Sequence, residues 1–189
     1  MALNAAQCAD GLLGAIAGYA YMNYDGTFIS DENGKPKIQQ HSLNISDYAS
    51  QFADAYHMYA SQGLVLGATN GDGEKSILAS MIEDCASYGS AIENIQRLAQ
   101  GFADYWATVC VTPGSPAHGG TSVVGVVNDS QTRVNQYYDA IVSSYRNYDD
   151  KPYFYDFVMN IESVVKTVIW TVSEVIPDQG VKTFPETIV

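Results

Sequence analysis

Apolar positions along this chain recur mostly at three- and four-residue steps, the period of a helix that buries one face. The longest such stripe runs from Glu74 to Val111, with Leu78, Met81, Ile82, Cys85, Ile92, Ile95, Ala99, Phe102, Trp106 and Val109 in phase. Unbroken, it would make a central helix roughly 55 Å long at about 1.5 Å per residue. Gly89 interrupts it, and Ser90-Ala91-Ile92-Glu93 has the spacing of a capping box, so two helices are the competing reading. Because the stripe keeps its phase across Gly89, one continuous helix is the expectation.

Other helical patterns surround it. Residues 3 to 20 place Cys8, Leu12, Leu13 and Ile16 on one face, and Gly11, Gly14 and Gly18 would admit a close neighbour. Ile45 to Gln62 carries Ile45, Tyr48, Ala49, Phe52, Tyr56, Tyr59 and Ala60 in a stripe, with Asn44 or Ser46 as cap and Gly63 as terminator. A fourth helix is expected from Thr121 or Ser122 to about Asn147. A fifth follows Asp149-Asp150-Lys151-Pro152 and ends at Pro177, with Phe154, Phe157, Val158, Ile161, Val165, Val168 and Val172 inward. Its β-branched content is poor for an isolated helix, so burial must hold it.

From 19 to 40 the period changes. Asn23-Tyr24-Asp25-Gly26 precedes Thr27-Phe28-Ile29, and Asp31-Glu32-Asn33-Gly34 precedes Lys35-Pro36-Lys37-Ile38, which are hairpin signals. The expected fold is therefore all-α: a single domain over 1–189, built as a bundle of about five helices with one long central helix. It carries a β-hairpin insertion at 19–40, a Gly- and Pro-rich connector at 112–121 and an extended tail at 177–189.

Charge and composition narrow the function. Charged residues are 16% of the chain, below the roughly 25% of ordinary domains. The 14 tyrosines then supply polar surface of the kind enriched at protein interfaces, or else reflect a compositional habit of the source. The nine lysines and arginines are scattered and the net charge is −12, so direct nucleic-acid binding is not expected. No basic region opens the chain and no stretch approaches the ~20 apolar residues of a membrane span, so neither a secretory signal nor a membrane partner is expected. Cys8, Cys85 and Cys110 lack metal or redox spacing, which fits buried thiols in a reducing compartment.

Candidate chemistry is sparse. His118 stands on the most distinctive local sequence, but no second histidine or Gly-x-Ser-x-Gly accompanies it, and the loop reads as a rigid connector. Asp54 and His57 lie three apart on one helix and could share a metal. The di-iron pattern needs Glu-x-x-His, which the chain lacks, so they read as a polar face. Gly67 to Gly73, followed by Glu74-Lys75-Ser76, departs from phosphate-loop spacing and sets a carboxylate where glycine belongs. No catalytic residue, cofactor or metal is expected.

The stretch Tyr105-Trp106-Ala107-Thr108-Val109, leading into Pro113-Gly-Ser-Pro-Ala-His-Gly-Gly120, resembles small helical structural proteins of tailed phages. The resemblance covers about the middle third of the chain. It implies a non-enzymatic virion component of a head, neck or tail ring, assembled in the host cytoplasm, with copies of itself and other virion proteins as partners. Contacts are expected from the hairpin (Phe28, Ile29, Ile38), the connector (Pro113, His118) and the tail (Phe184, Ile188, Val189). Two alternatives stand beside it. One is a cytoplasmic helical metal-binding protein or enzyme using Asp54, His57 and His118. The other is an acidic binding module or inhibitor, which would need its acids on one face.

Overall fold

The computed structural model describes residues 3–17, 32, 44–63, 65–68, 74–87, 90–109, 112–146 and 153–188. Helices Ala5–Ala17 (α1) and Ile45–Ala60 (α2) form where the spacing predicts them. Asn44 caps α2, its Oδ1 accepting the Asp47 N–H at 2.9 Å. Phe28, Ile29, Ile38 and Val189 lie outside the described residues, as do the strands of the expected hairpin.

The single central helix is corrected to two, Lys75–Ser87 (α3) and Ala91–Thr108 (α4). Ser90 adopts extended backbone and its hydroxyl faces the Glu93 N–H at 3.5 Å. This start signal, with Gly89 before it, outweighs the continuity of the stripe. α4 folds back against α3, and Gly101 makes the crossing close. A Cβ there would stand 2.4 Å from Met81 Sδ.

The all-α expectation is overturned, because the chain is α+β. Ser122–Asn128 (β1), Trp170–Ile176 (β2) and Gly180–Glu186 (β3) form an antiparallel sheet in the order β1-β2-β3. The fourth expected helix is thus a strand, a 3-10 turn at Ser130–Arg133, and only then a helix, Val134–Arg146 (α5). The fifth stops at Tyr153–Val165 (α6) and gives way to β2, while the expected extended tail is β3. Ser-Val-Val-Gly-Val-Val-Asn and Trp-Thr-Val-Ser-Glu-Val-Ile are β-branched runs too short for helical period to be told from alternation. In β2 the alternation decides: Trp170, Val172 and Glu174 point inward, and Thr171, Ser173 and Val175 outward. Pro177, read as a helix stop, opens the β2–β3 turn, closed by Asp178 (φ 59°) and Gly180 (φ 78°).

The six helices of the described residues pack in a closed ring, each against the next, with α6 returning to α1. Aromatic side chains fill it. Tyr56 lies 5.0 Å from Phe102 between centroids, Phe102 lies 5.7 Å from Phe157, and the Trp106 indole N–H donates to the Tyr56 hydroxyl at 3.0 Å. Each such ring, fully buried, contributes on the order of 1.5–3 kcal/mol of transfer free energy. Tyr59 ties α2 to α6 by donating to the buried Glu162 carboxylate at 2.7 Å, and Lys166 pairs with the same group. Two polar joints lock the sheet to the ring. Asn128 Nδ2 donates to the carbonyls of Trp106 (3.1 Å) and Ala107 (3.3 Å), which the end of α4 leaves without helical partners. Asp129 accepts the Ile169 N–H at 2.9 Å and is gripped at both oxygens by Arg133. Among the described residues no helix is long and apolar enough to cross a membrane.

Candidate functional site

Among the described residues the densest polar constellation lies where residues 112–121 cross the inner face of the sheet. Glu174, in the middle of β2, is directed inward by the strand's alternation and is completely buried. A carboxylate there is tolerable only if its lone pairs are used. The loop uses them: Glu174 accepts the N–H groups of Ala117 (2.7 Å), His118 (3.1 Å) and Gly120 (3.2 Å). His118 Nδ1 lies 3.0 Å from Glu174 Oε1 and its Nε2 lies 2.8 Å from Glu186 Oε1 on β3. The imidazole stacks on Phe184, with centroids 4.1 Å apart and planes 6° apart.

Glycines make the approach possible. A Cβ on Gly120 would stand 2.8 Å from Glu174 Oε2, and one on Gly67 would stand 2.8 Å from Val172 Cγ1. Gly67 (φ 76°) and Gly119 (φ 85°) hold left-handed backbone that other residues rarely adopt. Segment 65–68 supports the loop from below, through a bridge between Ala68 and Pro113 and the Gly114 N–H donated to the Gly67 carbonyl at 3.0 Å.

Electrostatics follow from this geometry. The hydrogen bond to Glu174 holds the His118 imidazolium above its ordinary pKa of 6.5; burial opposes this and Glu186 adds to it. Burial works to raise the Glu174 carboxyl, but the donors of Ala117, His118 and Gly120 outweigh it and hold the group below its ordinary 4.5. As the imidazolium, with both ring nitrogens facing carboxylates, His118 has no free nitrogen to take a proton from a substrate or to ligate a metal. The arrangement is a clasp joining loop, β2 and β3.

The remaining sequence candidates lie elsewhere. Pro113 is exposed at the start of the loop. Phe184 belongs to the clasp, and Ile188 is buried against Gly63, where a Cβ would stand 2.3 Å from Ile188 Cδ1. Asp54 and His57 are on α2, in the helical ring, where Asp54 pairs with Lys75 and His57 Nδ1 lies 2.8 Å from the Tyr105 hydroxyl. Among the described residues no three His, Cys, Asp or Glu side chains group so as to hold a metal ion. Glu174 and Glu186 escaped the sequence reading, and Gly67 was weighed only as part of a phosphate loop. The available signal was one carboxylate inside a β-branched run, a residue type that such a run buries only for a reason.

The outer face of the sheet has the opposite character. Val124, at the bulge in β1, is 52% exposed, Val127 is 65% exposed and Val181 is 61% exposed. Thr171, Ser173, Val175, Thr183 and Pro185 share that face, and the strands' charged residues, Glu174, Lys182 and Glu186, all alternate to the inner side.

No known protein family, curated protein or solved structure matches the chain. Its class therefore rests on fold and site: an α+β chain whose main polar cluster closes on itself and whose sheet presents an uncharged face.

Proposed function

We propose that the chain is a non-enzymatic building block of a symmetric assembly of its own copies, a structural component of a tailed-phage virion. The observation that carries this reading is the uncharged outer face of the sheet in a chain of net charge −12. Copies so acidic repel one another, and a face without acids, rich in valine and threonine, is where two can meet without burying unpaired charge. A second copy is thus its occupant. Three strands about 4.8 Å apart and seven residues long at about 3.3 Å per residue give a face of roughly 330 Å². That is less than half of the ~800 Å² each partner contributes to a standard interface, so one such contact makes a weak pair and the assembly needs further contacts. The virion assignment is supported by the resemblance of residues 105–120 to tailed-phage structural proteins. The clasp around His118 supports a structural role for that loop.

Light scattering with negative-stain imaging tests the reading. The wild-type chain is expected to give a discrete oligomer, and Val127→Asp with Val181→Asp, both at exposed positions, a 20.5 kDa monomer. A wild-type monomer at every concentration, or a variant that assembles normally, rejects the sheet as the contact. Absence of the chain from mass spectra of purified particles of its phage rejects the virion assignment.

A further inference from the structure

The end of the C-terminal strand is fastened by three side chains. Phe184 stacks on His118, Glu186 meets His118 Nε2 at 2.8 Å, and Ile188 sits in the space that Gly63 leaves open. The first half of β3, Val181 to Thr183, is exposed and is registered on β2. Two of the three fastenings therefore pass through one imidazole.

That imidazole has a nitrogen on each of two carboxylates, and only the doubly protonated ring can donate at both. We propose that His118 is a proton-operated latch on the C-terminal strand: the imidazolium ties Glu186 to the loop, and loss of one proton lets the strand end go.

The two carboxylates are not equivalent, which decides the proton that leaves. Glu174 is completely buried, with three backbone N–H donors holding it in place, so it cannot turn away from the ring. A bare Nδ1 would set a lone pair against it at 3.0 Å. The Glu186 side chain is 18% exposed and can turn into water. The neutral ring therefore keeps its proton on Nδ1, facing Glu174, and gives up the one on Nε2, facing Glu186, to solvent. Among the described residues the charged groups on the ring's sides are these two carboxylates, from β2 and β3. Lys182 shares the inner side of β3 opposite Glu174 but is exposed, and residues 117–120 offer backbone N–H groups. Glu186 then faces a lone pair across 2.8 Å, and Phe184 loses the cation on which its ring stacks. The opening concerns residues 184–188, while the turn and the first half of β3 stay registered on β2.

The latch stands independently of the assembly reading, and amide hydrogen exchange tests it. Exchange of the whole chain is followed by NMR from pH 5.5 to 9, corrected for the intrinsic pH dependence, alongside titration of the His118 ring. Protection at Phe184 and Glu186 is expected to fall about tenfold relative to β1 and β2, what losing one charge-assisted hydrogen bond predicts, with the midpoint of the ring's own titration. Glu186→Gln, whose amide can accept from or donate to Nε2, should keep protection flat across that range. Constant protection in the wild type while His118 titrates, or an unchanged fall in Glu186→Gln, overturns the proposal.

Discussion

Trp106 donates its indole N–H to the hydroxyl of Tyr56 at 3.0 Å, with both side chains completely buried where α2 and α4 meet inside the helical ring. The bond gives the aromatic core a specific register, since the surrounding rings could slide over one another but this pair could not. Tyr56→Phe removes the acceptor and little volume, leaving a buried donor unpaired. Stability is expected to fall by about 1–3 kcal/mol, seen as a lower urea midpoint with an unchanged slope. A variant as stable as wild type would mean that the indole finds another acceptor.

Glu174→Gln keeps the shape of the clasp but points an amide NH2 at donors that need an acceptor. The loop at 112–121 is then expected to become a site of limited proteolysis under conditions that leave the wild type intact. Lys182→Gln, on the same sheet but exposed, should leave it resistant. Equal resistance of Glu174→Gln would show that the Gly67 and Pro113 contacts hold the loop without the carboxylate.

The clasp makes stability depend on pH in both directions. His118 holds its proton more tightly folded than unfolded, so its contribution is complete below pH 6.5 and is lost as pH rises through the higher folded value. Glu174 is held below 4.5, so its contribution is complete above that pH and is lost as pH falls through the lower folded value. Asp129, lowered first by its bond to Arg133, adds to the acid side. Urea midpoints are expected to be highest between about pH 4.5 and 6.5. His118→Gln should remove the alkaline decline and keep an acid one.

Gly63→Ala places a methyl where Ile188 Cδ1 lies, 2.3 Å from the new Cβ. Overpacking of this kind costs about 1–3 kcal/mol. Ile188→Val deletes that Cδ1, so Gly63→Ala should cost distinctly less in an Ile188→Val background. The coupling, read from a double-mutant cycle of urea melts, measures how firmly the chain end is seated. Additive effects would mean that Ile188 moves aside freely.

Helices α1 and α2 were legible because their stripes are regular and their signals local, whereas α3 and α4 were read as one helix and α5 and α6 were read too long. Asn44 caps α2 through Asp47, three residues on, and Ser90 marks the start of α4 in the same way. The sheet was not legible, because seven-residue valine-rich runs satisfy both periods and their partners lie far along the chain. The clasp was half legible. The glycines and prolines around His118 marked its loop as unusual, but Glu174 is 56 residues away and Glu186 is 68. No local spacing encodes a contact made by the pairing of β1 with β2 and β3 with β2.

The closed ring also orders events at the ribosome. α1 is synthesised well before α6, yet the two are neighbouring walls, and Cys8, Ala9 and Leu12 of α1 are buried in the finished ring. Among the described helices α2 and α6 are the principal neighbours of α1, so until α6 emerges one of the two is missing. Domains fold as units once their chain is available, and here that moment comes late, with the seam between α1 and α6 unmade until then. The seam closes when Tyr59 on α2 reaches Glu162 on α6. Before then it is the natural landing place for a chaperone, and the stretch along which a crowded polysome would first entangle its chains.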